Sequence, residues 1–419
     1  MNIYFSGIGG VGIGPLAEIA LDMGHNIIGS DPVESLMTSQ LRARKVNISN
    51  NQDGDFLNEC HNESPIDWYV HTAALPDDHP ELTTAKRLGI KTAKRDKLLA
   101  HLIEEKNLKL IAIAGTHGKT TTTGMMIWLL QQLNIPISYS IGTTIPFGPS
   151  GKYNPASEYF IYECDEFDRN FLNFKPFLSL ITTVDYDHPD TYKTSEDYLQ
   201  AFHQFAQQSD QIITWSDQHS EIYNDILNKQ ILEPDQVASD LTLPGAHNRR
   251  NATLVQNAIK TLGLAEDTTD ALNNFPGVNR RFEKLSDNLY SDYGHHPVEI
   301  VATLQMAREL SDHVSLIYQP HQNIRQHEIV DQYTDQFELA EKIYWLPTYL
   351  SREDPGLTIL KPDDLIQKLT NHDDVTISEL DEKLWQAIQA DRKSGMLVIG
   401  MGAGSIDGWL RSNLEQEQA

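Results

Sequence analysis

The run Gly115-Thr116-His117-Gly118-Lys119-Thr120-Thr121-Thr122 constrains this chain more than any other stretch. It follows a strand-like segment, Lys109–Ala114 (Lys-Leu-Ile-Ala-Ile-Ala), and leads into an apolar helical pattern. A strand that turns through glycines into a helix leaves the first helical amides facing the turn. There they and the helix dipole attract phosphate. Lys119 then reaches the terminal phosphates of a triphosphate, and the Thr120 hydroxyl is placed to ligate Mg²⁺. The loop is shortened relative to the usual pattern, because Ile113 stands where its first glycine falls.

A second glycine loop lies near the N-terminus. Asn2–Ser6 reads as a strand and runs into Gly7-Ile8-Gly9-Gly10-Val11-Gly12-Ile13-Gly14, which contains G-x-G-x-x-G. Asp31 follows at about the distance of a ribose-binding acid. The motif by itself fits NAD, FAD or another diphosphate, and a ligand-free glycine turn is the plain alternative. Elsewhere, apolar strand patterns (Trp68–Thr72, Tyr159–Glu163, Leu178–Thr183, Gln211–Trp215, His313–Gln319, Lys342–Leu346, Met396–Gly400) alternate with helical ones (Pro15–Met23, Lys119–Leu133, Ser195–Gln207, Pro297–Glu309, Asp381–Ala390). Such alternation predicts parallel sheets covered on both faces. Polar breaks at Glu104–Asn107 and around Pro276-Gly277 divide the 419 residues into three α/β domains, 1–106, 107–276 and 277–419.

A formal charge of −26 argues against a nucleic-acid partner, which needs clustered cations for its phosphates. Positive potential for a nucleotide must then be local, from helix N-termini and a few placed cations. No apolar run reaches the ~18 residues of a membrane span. With two cysteines, Cys60 and Cys164, and a strand beginning at once where a signal segment would lie, a cytoplasmic protein is expected.

Glu163 ends the apolar strand Tyr159–Tyr162, so its carboxylate projects from the edge of the sheet where such folds bind ligands. A carboxylate there suits Mg²⁺, a hard cation. Asp165, Glu166 and Asp168 beside it are either part of the same site or a solvated acidic turn. His188 follows the strand Leu178–Thr183 in a loop with Asp185, Asp187 and Asp190. Asn248 and Asn251 stand near a helix start, where an N-cap role competes with ligand binding.

The Gly-Thr-His-Gly-Lys-Thr-Thr-Thr wording resembles the Mur ligases. So do His71-Thr72-Ala73-Ala74-Leu75-Pro76, His79-Pro80-Glu81, Glu163-Cys164-Asp165-Glu166-Phe167-Asp168 and Asp187-His188-Pro189-Asp190-Thr191-Tyr192. Further along, Gly245-Ala246-His247-Asn248 with Asn251, Arg280-Arg281-Phe282-Glu283, Asp292-Tyr293-Gly294-His295-His296-Pro297, Gln319-Pro320-His321 and Gly402-Ala403-Gly404 continue the resemblance in the family's order. It implies a Rossmann-like N-terminal domain holding the UDP of a sugar nucleotide, a P-loop-type central ATPase domain, and a Rossmann-like C-terminal domain for the amino acid.

The implied activity is ATP- and Mg²⁺-dependent joining of L-alanine, to which His117 points, to the carboxylate of UDP-N-acetylmuramate through an acyl phosphate, in peptidoglycan precursor synthesis. A recycling reaction that attaches a murein tripeptide to the same sugar nucleotide is the alternative within the family. A dinucleotide-dependent oxidoreductase and a nucleotide-binding regulatory protein are the more distant ones. By the same resemblance Lys119, Glu163, His188 and Arg281 are catalytic, and Thr120, Glu163 and His188 hold metal. ATP is bound by Gly115, Thr116, His117, Gly118, Lys119, Thr120, Thr121, Asn248, Asn251, Arg281 and Asp292. The UDP-sugar falls to Gly9, Gly10, Val11, Gly12, Ser30, Asp31, Thr72 and Ala73, and the amino acid to His295, His296, His321 and Arg325.

Three departures stand out. Thr183 occupies a position where the family usually has Asn. Only about thirty residues separate Trp215 from Pro244-Gly245, which predicts a trimmed central domain. Gln322 replaces the arginine that usually follows Gln-Pro-His, with Arg325 three residues on.

Overall fold

The structure, a computed structural model, describes residues 1–10, 12–72, 75–188, 191–351 and 353–418. Val11 and Ala73, two of the expected sugar-nucleotide residues, lie outside the described residues. Two compact units form: Met1–Val237 with Asn251–Phe275, and Ala238–Arg250 with Pro276–Ala419.

The first unit contains two sheets. In the N-terminal one, β1 (Asn2–Ser6), α1 (Gly14–Asp22), β2 (Asn26–Ser30), α2 (Leu36–Ala43), β3 (Asn47–Ser49), α3 (Asp55–Glu63), β4 (Trp68–His71), α4 (Pro80–Arg87), β5 (Lys91–Lys94) and α5 (Arg95–Glu105) alternate strictly. The strand order β3-β2-β1-β4-β5, parallel throughout, is Rossmann-like. Chain order reverses between β1 and β4, which opens a crevice at the strands' C-terminal ends beside Gly7–Gly12.

The central part runs β6 (Lys109–Ala114), α6 (Lys119–Gln132), β7 (Ile137–Ser140), β8 (Gly151–Lys152), β9 (Tyr159–Glu163), β10 (Leu178–Ile181), α7 (Ser195–Gln208), β11 (Ile212–Trp215), β12 (Lys229–Leu232), α8 (Ala246–Thr261) and α9 (Thr269–Asn273). Its sheet has the order β12-β11-β10-β6-β9-β7-β8, with β6 in the middle. Leu110–Ala114 are all buried, as are Met125, Met126, Ile127, Leu129 and Leu130 of α6. A helix so apolar belongs inside a core, where truncating Leu129 to Ala costs about 2–5 kcal/mol. The Gly115–Gly118 loop is thus mounted between two largely buried elements. Between Trp215 and Pro244 the only regular structure is β12 and short turns of 3₁₀ helix, in keeping with a trimmed domain.

The second unit holds β13 (Glu283–Ser286), β14 (Leu289–Asp292), α10 (Pro297–Leu310), β15 (Val314–Tyr318), α11 (Asn323–Ile329), β16 (Lys342–Trp345), α12 (Pro362–Ile366), β17 (Val375–Ile377), α13 (Glu382–Lys393), β18 (Leu397–Met401) and α14 (Ile406–Gln418). Its order is β13-β14-β18-β15-β16-β17, parallel except for the β13–β14 hairpin. The result is three α/β domains as expected, Rossmann-like at both ends. Among the described residues no helix is long and apolar enough to cross a membrane.

Candidate active site

Gly115 and Gly118 adopt φ values of +134° and +83°, the left-handed region that favours glycine. At Gly115 a Cβ would also fall 2.2 Å from the Thr182 hydroxyl, so the close approach of the loop after β10 excludes any side chain there. Gly118 caps α6, and helix geometry leaves the next amides, from Lys119 onward, without intrahelical partners.

Lys119 folds back along this loop. Its Nζ donates to Gly115 O at 2.6 Å, Thr116 O at 3.2 Å and Glu166 Oε2 at 2.8 Å. Burial opposes its charge, but the Glu166 and Asp165 carboxylates outweigh burial and hold the ammonium above its ordinary pKa. Burial pushes the Glu166 carboxyl up, against the pull of Lys119. Glu166 is fully buried, so the reading of this stretch as a solvated acidic turn fails at that residue. Asp168, by contrast, is half-buried and ion-paired with Lys94 at the surface.

Two donor groups flank the lysine. Thr120 gives its hydroxyl hydrogen to Glu163 Oε1 at 2.6 Å, while Glu163 Oε2 accepts from Gly142 N at 2.8 Å. Separately, Asp165, Glu166 and His188 each offer a ligand atom within 4.8 Å of the others. His188 has φ +59°, and its Nε2 lies 3.8 Å from Glu166 Oε1. The hydroxyl and carboxylate oxygens fit a hard divalent cation such as Mg²⁺, while the His188 imidazole is a softer donor that suits it less. Thr121 is half-buried on the first turn of α6, and the His117 Nε2 stands 3.8 Å from Asp185 Oδ2. Asn251 is buried against Gly118, whose Cβ would meet its amide at 3.1 Å.

The N-terminal loop is similarly tight. Gly9 N donates to Asp31 Oδ2 at 2.8 Å, and a Cβ on Gly9 would strike Thr38, Ser35 and Asp31. Asp31 Oδ1 accepts from Val33 N at 3.0 Å. Gly10 N turns back to Gly7 O at 3.1 Å. Ser30 is fully buried and donates to Glu81 Oε2 at 2.9 Å, an acid that also receives the Tyr4 and Ser6 hydroxyls. Ser30 therefore builds the floor of this crevice. Thr72 follows β4, its carbonyl 2.9 Å from His71 Nδ1. Sequence reasoning passed over Arg95, the first residue of α5: a Cβ on Gly12 would sit 2.6 Å from its Nη1.

In the second unit, Asn248 lies inside α8, which starts at Ala246, and its amide donates to Pro244 O at 2.9 Å. Neither Asn248 nor Asn251 is an N-cap. Arg281 reaches Glu299 at 3.6 Å and packs over the Tyr293 ring. Asp292 is buried, with both oxygens taken by backbone amides, Oδ2 by Phe282 N and Oδ1 by Gly294 N, each at 2.7 Å. It braces the Arg281 loop. His295, Arg325 and His321 come together: Arg325 Nη1 lies 2.5 Å from His295 Nε2, and the two imidazole rings are 5.5 Å apart. His296 is the N-cap residue of α10, its amide donating to Glu299 Oε2 at 3.2 Å. Gln322 takes φ +60°, and its amide reaches Ser351 at 3.4 Å.

A triphosphate-type loop on a central sheet, with Rossmann-like domains on both sides of it in sequence, defines a nucleotide-using α/β enzyme of three domains. The family described as "Mur ligase family, catalytic domain" matches residues 2–107, and "Mur ligase middle domain" matches 113–235. The UDP-N-acetylmuramate–L-alanine ligase of Caldicellulosiruptor saccharolyticus is 31% identical, over 97% of this chain and 97% of its own. Among solved structures, UDP-N-acetylmuramate–alanine ligase from Thermotoga maritima superposes with a TM-score of 0.75 at 24% identity, covering 100% of this chain and 99% of that one. A murein peptide ligase from Psychrobacter arcticus gives 0.66 at 22% identity, over 99% and 98%. The chain belongs to the Mur ligase family and is a ligase of that family.

Proposed function

We propose that this chain is a UDP-N-acetylmuramate–L-alanine ligase, acting in the cytoplasm in peptidoglycan precursor synthesis. The observation that carries the reading is the placement of Lys119 on the phosphate loop, between the Thr120–Glu163 pair and the Asp165–Glu166–His188 cluster. An oxidoreductase bound at Gly7–Gly12 would leave that assembly without work.

A carboxylate does not acylate an amine in water near neutral pH, because its oxygen is too poor a leaving group. Phosphorylation replaces it. A carboxylate oxygen of UDP-N-acetylmuramate attacks the γ-phosphorus of ATP, the bond to ADP breaks, and an acyl phosphate forms. The neutral amine of L-alanine then adds to the carbonyl carbon. The tetrahedral intermediate expels phosphate and the nitrogen loses a proton, leaving an amide. Lys119 and Arg281 balance charge on the transferring phosphoryl group, and catalysis of this step is positioning plus electrostatics. Thr120 and Glu163, and at a second position His188, would hold Mg²⁺, which when bound neutralises phosphate oxygens.

Residues 1–106 are assigned to the UDP-sugar, with Gly9, Gly10, Gly12 and Asp31 at the diphosphate and ribose, and Arg95 beside them. Residues 107–276 are assigned to ATP, including Asn248 and Asn251. Residues 277–419 are assigned to the amino acid, through His295, His321 and Arg325. Three substrates on three domains call for closure before chemistry. The test is release of ADP and phosphate: it should require UDP-N-acetylmuramate and L-alanine together. Turnover independent of either would point to a nucleotide-binding regulator instead.

A further inference from the structure

We propose that Thr183 is a positioning residue that sets the shape of the phosphate loop. The inference rests on the reading of that loop as an ATP site. The Thr183 Oγ1 accepts the His117 N–H at 2.8 Å and lies 3.3 Å from the His117 carbonyl, toward which its own hydrogen can point. Its carbonyl accepts Thr116 N at 2.9 Å. Thr182 donates to His117 O at 2.5 Å, and Asp185 N donates to the Thr116 hydroxyl at 2.8 Å. Thr116 and His117 are therefore stitched, bond by bond, to Thr182, Thr183 and Asp185.

Two consequences follow. The His117 amide is committed to Thr183, so the loop presents phosphate with the amides that open α6 rather than with every amide between Gly115 and Thr120. The stitched segment also continues directly into Asp187 and His188, so these bonds, the Thr183 hydroxyl's among them, keep the phosphate loop in register with the His188 loop. Thr183→Val keeps the side chain's shape and removes the hydroxyl, leaving a partly buried N–H unmatched and the loop free to turn that amide elsewhere. Thr183→Ser restores the hydroxyl.

The experiment is calorimetric titration of a non-hydrolysable ATP analogue with Mg²⁺ into the full-length wild type, Thr183→Val and Thr183→Ser, with UDP-N-acetylmuramate titrated into each as a control. The expected result is nucleotide affinity about ten-fold weaker in the valine variant, serine close to wild type, and sugar-nucleotide affinity unchanged in all three. Equal or tighter nucleotide binding by Thr183→Val overturns the inference while leaving the ligase reading in place. Loss of both affinities in the valine variant without rescue by serine also overturns it, since the effect is then general. If valine disturbs folding, Thr183→Ala replaces it against the same serine rescue. A wild type that binds no adenine nucleotide overturns the ligase reading itself.

Discussion

Lys119 and Glu166 form an ion pair 2.8 Å long in which the carboxylate is 0% exposed and the lysine side chain 14%. The residue assigned to the nucleotide thus also neutralises a buried acid, and its loss should have two separate effects.

Lys119→Ala is expected to lower turnover by about 10²–10³, the usual weight of a transition-state charge contact. It should also destabilise the protein, by as much as about 3 kcal/mol, because Glu166 is left buried without its cation. Denaturant melts check the second effect. The double variant Lys119→Ala/Glu166→Gln should regain stability and remain inactive. A single variant as stable as wild type would contradict the pairing.

Glu163→Gln should weaken Mg²⁺-dependent activity more than UDP-sugar binding. Both Glu163 oxygens accept hydrogen bonds, from Thr120 and from Gly142, so a glutamine can keep its oxygen on Gly142 N–H only by turning its amide to the Thr120 oxygen, and it loses the charge that suits a cation. Metal titration of turnover, set beside calorimetry with UDP-N-acetylmuramate, separates the effects. A large loss of sugar affinity with normal metal dependence would place Glu163 at the wrong substrate.

Most of the large features are legible in the residues themselves. Both glycine loops announce their turns because only glycine tolerates the backbone there, and β6 and α6 announce burial through unbroken apolar runs. The short strands β3, β13 and β17 carry mixed polar residues at or near sheet edges and have no such pattern. Asn248 and Asn251 lost their capping alternative because α8 begins at Ala246, after a turn at Gly245 with φ +85°. His296 could not be told from His295 until the helix start fixed it as a cap. Arg95 over Gly12, Glu166 under Lys119 and Thr183 on His117 are meetings of distant segments, and no local spacing encodes them.

His295 predicts acid sensitivity in the second unit. Burial, with Arg325 alongside and Glu299 opposing, lowers its pKa from 6.5 to about 4. A lowered histidine pKa means the unfolded chain binds the proton first. Its contribution is full above pH 6.5 and is lost as pH falls toward 4. Between pH 7.5 and 5 this one group should cost on the order of 1–2 kcal/mol. Denaturant melts at the two pH values check it: His295→Gln should flatten the slope, and an unchanged slope would contradict the burial argument.

The most direct test of the account is ADP production with UDP-N-acetylmuramate and a panel of amines at equal concentration. L-Alanine should be preferred to glycine by about 1–3 kcal/mol, the worth of one methyl group in a pocket, and more sharply to bulkier amino acids and the murein tripeptide. Faster turnover with the tripeptide than with L-alanine would contradict the substrate assignment and direct attention to the loop in which Gln322 replaces arginine.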